Sequence, residues 1–319
     1  MGCGSSSPSV DPIDPSQFLH PGFSDKYQLE DLIGSGSYAR VFKVSTISKP
    51  RRTYVAKVME DSGWMSDFWS TRSIYTHEAS MLKKIRHAHI VRYLDFFCEN
   101  NFLYIVLEHL SGGELFQHLV ARGRLSEHET RNYAQQILGA LLYLHENKII
   151  YRDVKADNFV FTDHRCQSLK MIDMGLAIKP GNPPLSEICG SPHYLAPELI
   201  AQHYGFPVDL WALGILIFLL LHGHYPFEAP SSQELVEHIV TGNISDRISD
   251  QVSDLGRAFI LGLCEVEESK RLTAKEAGKH LWITCNDRKF LRKTVTDPVL
   301  VPEDEQKISP RTLRQHSLN

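Results

Sequence analysis

Between Tyr27 and Glu108 the apolar positions come in short runs that alternate with polar ones, the period of half-buried β-strands. "YQLEDLIGSG", "ARVFKVST", "TYVAKVM", "VRYLDFF" and "FLYIVLE" predict antiparallel strands, with Lys57 ending the third. One stretch differs: "SIYTHEASMLKKI" spaces Ile74, Met81, Leu82 and Ile85 as a helix does. After the Ser-Gly-Gly at 111–113 the period lengthens. "HETRNYAQQILGALLYLHEN" predicts a long amphipathic helix with Tyr133, Ile137, Leu141 and Leu144 on one face. The remainder reads as helical apart from loops between about 150 and 195. Strands first and helices afterwards predict an α+β fold of two unlike lobes, residues 26–110 and 111–283.

Outside that domain the texture changes. Residues 1–25 are rich in Ser, Pro and Gly and predict a flexible leader. Residues 284–319 mix charge, Pro and Thr and predict a tail. The 319 residues are 42% hydrophobic and 23% charged, so a sizeable core forms without covalent staples. A formal net charge of -4 gives no reason to expect nucleic-acid binding. Six scattered cysteines without a CxxC pair predict a reduced, cytosolic chain. "LWALGILIFLLL" is too short to span a bilayer and predicts a buried helix.

The candidate chemistry begins at "IGSGSYARV". Ile33, Gly34, Ser35 and Gly36 can form a loop whose backbone N–H groups approach phosphates, though a hairpin turn uses the same residues. In "YVAK", Lys57 can neutralise phosphates if a carboxylate fixes it, and the helical Glu78 is the natural partner. Either residue alone reads more readily as a solvated surface group. "IIYRDVKADNFVF" is more specific, because polar residues at this spacing between apolar strands make little sense as core. Asp153 can accept a hydrogen bond from a substrate hydroxyl, Lys155 can steady a transferring phosphoryl group, and Asn158 can ligate a metal ion. Asp173, in "LKMIDMGLAIK", follows at the distance expected for the main Mg²⁺ carboxylate.

Taken in order, the Gly loop, strand Lys, helix Glu, YRDxKxxN, Asp-Met-Gly and "CGSPHYLAPE" resemble a eukaryotic Ser/Thr protein kinase over about residues 27–283. "LEHLSGGELFQHL" is similar to the calcium/calmodulin-dependent group, and "MGCG" to the protein serine kinase H family within it. The resemblance implies the bilobal kinase fold, with ATP and Mg²⁺ as cofactors and protein substrates as partners. It implies a nucleotide site of Ile33 to Gly36, Val41, Val55, Lys57, Glu108, Leu110, Glu114 and Val160, with Leu107 as gatekeeper. It further implies that Glu198 pairs with Arg271 and that Asp209 anchors the catalytic loop. Ser191 fits Ser/Thr acceptors, and Glu114 with Asp157 suggests an arginine three residues before the acceptor. Leu219 replaces an acid used by some basophilic relatives, which argues against a second arginine two residues before it.

Four positions depart from the family pattern: Ala39, Val55, Ala156 and Met174. Met174 replaces an aromatic expected to pack with Leu82, Tyr93 and Tyr151, and spares the metal-binding aspartate. Every polar catalytic group is present, so an active kinase is expected; the alternative is a pseudokinase scaffold. Glu187 stands where many relatives carry a phosphorylated threonine and can pair with Arg152, against the alternative that Ser186 is phosphorylated. "MGCGSS" fits myristoylation at Gly2 and palmitoylation at Cys3, which predicts attachment to a cytoplasmic membrane face; the alternative is a plain Gly/Ser leader. "DRKFLRKTV" at 287–295 is either a calmodulin contact or a solvated tail, and Arg314 precedes Ser317 by three as an autophosphorylation candidate.

Overall fold

A computed structural model describes residues 22–35, 39–60, 71–181 and 185–285, with no side chains for 71–74. Its N-terminal part is a five-stranded antiparallel sheet in the order β1-β2-β3-β5-β4, formed by Tyr27–Ser35, Arg40–Thr46, Thr53–Glu60, Phe102–Glu108 and Tyr93–Glu99 respectively. Period-two alternation gives the sheet two faces. Val44, Ala56, Val58, Phe97, Tyr104 and Val106 fill a small outer cluster. Met59, Phe96, Leu103, Ile105 and Leu107 join the main core, together with Ala79 and Leu82 of helix α2 (Thr71–Lys84). Lys57 lies inside β3 rather than at its end, opposite Ile105 and Val41.

The leader expected to be flexible through residue 25 is already folded at 22–25. The short helix α1 (Phe23–Lys26) buries Phe23 in the outer cluster, stacked on Tyr104 at 4.1 Å. Ser24 donates to Glu99 through its backbone N–H and its hydroxyl, and Lys26 pairs with Asp95 at 3.0 Å. A single aromatic side chain that completes a core outweighs the breaker-rich composition around it.

The C-terminal part is mostly helical. Helix α3 (Leu115–Arg122) precedes α4 (Glu127–Glu146), which starts where Ser126 and Glu129 form a capping box. Helix α5 (Pro207–His222) is buried at every position from Val208 to Leu221, as a helix apolar all round must be, and ends on the left-handed Gly223. Helices α6 (Asp254–Leu263) and α4 pack against it. In the stretch read as loop, Phe159–Phe161 (β6) and Leu169–Met171 (β7) pair as a two-stranded sheet. Three-residue strands are too short to show a periodicity, so the sequence marks Phe159–Phe161 only as the apolar flank of the polar motif and leaves Leu169–Met171 unmarked. No helix among the described residues is long and apolar enough to cross a membrane.

Candidate active site

Strand β3 and helix α2 bring Lys57 and Glu78 together. Lys57 Nζ lies 3.0 and 2.9 Å from the two carboxylate oxygens of Glu78, and 3.1 Å from Asp173 Oδ2. The residue after the metal-type aspartate adds to the arrangement, because the backbone of Met174 lies close enough to favour the Glu78 carboxylate. Burial works against charge here, yet Glu78 and Asp173 together hold the Lys57 ammonium well above its ordinary value. Burial pushes the Glu78 carboxyl up to about 7 against the pull of Lys57. Desolvation pushes the Asp173 carboxyl up although its side chain is 38% exposed, but Lys57 and the Gly175 N–H, 2.7 Å from Oδ1, hold it below the usual range.

The loop from Tyr151 to Asn158 supplies the second group. Asp153 Oδ2 is 3.0 Å from Lys155 Nζ and accepts from Asn158 Nδ2 at 2.6 Å. Asn158 also donates to the Asp153 backbone carbonyl at 2.9 Å, so its amide nitrogen is committed and its oxygen is the end left for a metal. Burial raises the Asp153 carboxyl, with Lys155 opposing. Arg152 takes a left-handed φ of 67°, a conformation that costs a non-glycine residue about 1–2 kcal/mol. Buried Asp209 holds it there, accepting the N–H groups of Tyr151 and Arg152 at 2.8 Å each and His145 Nε2 at 2.9 Å.

Arg152 reaches the activation segment. Its Nε donates to Leu176 O at 2.7 Å and its Nη1 lies 3.2 Å from Glu187 Oε2. Nη1 also donates to the Tyr204 hydroxyl, which in turn donates to the Glu187 backbone carbonyl. Ser186 is exposed. Ser191 lines one small cavity with Arg152, Asp153, Gly190 and Leu195. Below the segment, Arg271 Nη2 lies 2.9 Å from Glu198 Oε2, while Arg271 also donates to the carbonyls of Glu265 and Pro207.

Around the opening between lobes, Ile33 is half exposed and Val41, Val55, Leu110 and Val160 are partly buried. Gly34 and Ser35 end β1; Gly36 lies outside the described residues, as do Gly2, Cys3, Ser317 and the 287–295 segment. A Cβ on Gly34 would meet nothing closer than Val41 at 3.6 Å, so packing within the protein does not demand glycine there. Helix α3, with Glu114 at its N-cap, packs on the turn that carries Asp157. Leu82, Tyr93, Tyr151 and Met174 all lie in the main core, with Met174 fully buried.

Several contributors escaped the sequence reading. Glu108 Oε1 accepts from Lys170 Nζ at 2.5 Å and from the Arg92 N–H at 2.7 Å, tying the hinge to the strand that leads to Asp173. Tyr75 lies with its ring 5.4 Å from Lys57 Nζ, and His77 Nε2 donates to Ala177 O at 2.7 Å. Tyr204 bridges Arg152 and Glu187. Spacing carries no signal for such pairs, because their partners lie on separate elements.

Comparison with known proteins agrees with this arrangement. The model of the protein kinase domain matches residues 27–283. The chain is 32% identical over 266 residues to calcium/calmodulin-dependent protein kinase type 1 of Caenorhabditis elegans, covering 82% of this chain and 75% of that one. It is 34% identical over 291 residues to the serine/threonine-protein kinase H1 homolog of Danio rerio, covering 88% and 68%. Human serine/threonine-protein kinase H1 is likewise 34% identical over 291 residues, covering 88% and 67%. The chain therefore belongs to the protein kinase family and is, by homology, a protein serine/threonine kinase.

Proposed function

We propose that the chain is a catalytically competent kinase that transfers the ATP γ-phosphoryl group to Ser or Thr of basophilic protein substrates. The observation that carries this is the bridge made by Lys57 between Glu78 and Asp173, beside the Asp153–Lys155–Asn158 group. All six polar groups stand in one site, which a scaffold that had lost the chemistry would have no need to keep. Asp153 orients the acceptor hydroxyl and takes its proton, and Lys155 balances charge on the transferring group. Lys57 holds the nucleotide phosphates while Glu78 fixes its position.

The donor set suits Mg²⁺. Asp173 and the carbonyl end of Asn158 are hard oxygen ligands, and this ion is commonly held by one or two protein groups plus substrate phosphates. Among the described residues no three His, Cys, Asp or Glu gather into an all-protein metal cage. A Cβ at Gly34 would make only ordinary contact with Val41, so glycine there suits the close approach of a phosphate rather than internal packing. When bound, Mg²⁺·ATP supplies the phosphoryl group and the charge neutralisation.

Glu114 and Asp157, on adjoining elements, support selection of an arginine three residues before the acceptor. Glu187 orders the activation segment in place of a phosphate. Acylation at Gly2 and Cys3 attaches the chain to a cytoplasmic membrane face. The test is phosphorylation of an Arg-x-x-Ser peptide with Mg²⁺·ATP, using Asp173→Asn as control. Incorporation by the wild type and its loss in the variant are expected; a folded wild type that incorporates no phosphate overturns the reading.

A further inference from the structure

The turn between β2 and β3, residues 47–52, reads "ISKPRR" and carries Lys49, Arg51 and Arg52 with no acid of its own. All six residues are exposed, and none of the three cations pairs with a carboxylate among the described residues. The turn is nevertheless well built. Thr46 stitches it: its hydroxyl accepts from the Arg52 N–H at 3.0 Å and donates to Ser48 O at 3.2 Å, and its N–H donates to Arg52 O. Ile47, 51% exposed, stands at its base and donates its N–H to Lys26 O at 3.0 Å. The leader thus joins the folded domain beside this turn.

The carboxylates at this pole are mostly committed. Asp95 pairs with Lys26, Glu99 accepts from Ser24, and Glu30 pairs with Lys43 at 3.5 Å while also feeling the charge of Arg51. Asp25 and Asp31 are the exposed acids that remain. Three unpaired cations around an exposed branched apolar side chain therefore face solvent together. They lie at the end of β2 opposite Arg40, about 20 Å from the phosphate-loop end.

We infer that this turn is a contact surface for an anionic lipid bilayer. Lys and Arg side chains are drawn to the negative surface potential, and Ile47 enters the interfacial region beneath the headgroups. While Gly2 alone carries an acyl chain, membrane binding is marginal and needs a second signal, which a basic patch supplies before Cys3 is acylated. The leader itself is acidic where charged, with Asp11, Asp14 and Asp25, so the second electrostatic signal comes from the folded domain. The inference goes beyond the kinase reading and does not depend on it, since lipid binding and peptide phosphorylation are read separately.

The experiment uses the full chain without acyl groups, sedimented with phosphatidylcholine vesicles with or without phosphatidylserine. Wild type is expected to bind the phosphatidylserine vesicles, less so as salt rises, and to ignore the neutral ones. Each cation is worth about fivefold in partitioning, so Lys49→Ala, Arg51→Ala and Arg52→Ala combined should lower binding roughly 100-fold. Ile47→Ser should lower it severalfold. Peptide phosphorylation by these variants should stay at the wild-type level, because the turn touches no catalytic group. A second arm replaces Arg288, Lys289, Arg292 and Lys293 by alanine. Unchanged binding in the turn variant, or loss confined to the tail variant, overturns the inference, as does equal binding to neutral vesicles.

Discussion

The guanidinium of Arg152 and the carboxylate of Glu187 stand 3.2 Å apart, and the Tyr204 hydroxyl touches both residues. A fixed negative charge therefore meets the catalytic-loop arginine without any modification. The expected outcome is that phosphatase-treated protein phosphorylates peptide, and that Ser186→Ala changes little. Because the Glu187 side chain is 44% exposed, its ion pair is worth at most about 1 kcal/mol, so Glu187→Gln should lower kcat/KM about two- to fivefold. Tyr204→Phe should do comparable damage by freeing both partners. Treated protein that stays silent until Ser186 is modified would reverse the assignment.

Met174 is fully buried in the core that also holds Leu82, Tyr93 and Tyr151, and its backbone lies close enough to favour the Glu78 carboxylate. The exchange from an aromatic thus keeps an apolar plug and the backbone contact. Met174→Leu, close in volume, should cost less than about 1.5 kcal/mol and keep most activity. Met174→Ala should cost about 2–5 kcal/mol in urea unfolding and depress kcat through looser placement of Asp173. Equal kcat in all three proteins would detach the packing from the chemistry.

How far the fold and site could be read in the sequence follows from where each signal lies. The five strands of the sheet were legible because alternation records which face is buried, and Lys57 with Glu78 because both lie on periodic elements. Asp153, Lys155, Asn158 and Asp173 could be read as chemistry because polar residues in apolar strand ends have little structural use. Phe23 was hidden by the Ser, Pro and Gly around it, and its role exists only once Tyr104 and Phe97 face it. Lys170 and Tyr204 were hidden for the same reason: each gains its partner, Glu108 or Arg152, from a fold that brings separate elements together.

Arg271 is fully buried with Glu198, donates to two backbone carbonyls and lies over the Trp211 ring at 5.2 Å. Removing one member strands a charge in a low-dielectric interior. Arg271→Ala and Glu198→Gln should each destabilise by about 3–5 kcal/mol in denaturant titration. Replacing Glu267 and Lys270, an exposed pair one turn away, should leave the denaturation midpoint nearly unchanged. A small effect at Arg271 would mean that water reaches the pair.

Asp153 must be ionised to take the acceptor proton, and burial raises its carboxyl above the ordinary value while Lys155 opposes. The sign is therefore fixed: activity rises with pH as Asp153 loses its proton, and the acid limb of kcat/KM lies above the ordinary carboxylate position. Lys155→Ala removes the strongest influence that lowers this group, so the limb should move to higher pH. The plateau falls too, because Lys155 also serves the transferring phosphoryl group, but the position of the limb is read independently of its height. An Arg-x-x-Ser peptide assay across the acidic range measures both. A limb at the same pH in wild type and variant would show that another group governs the acid side.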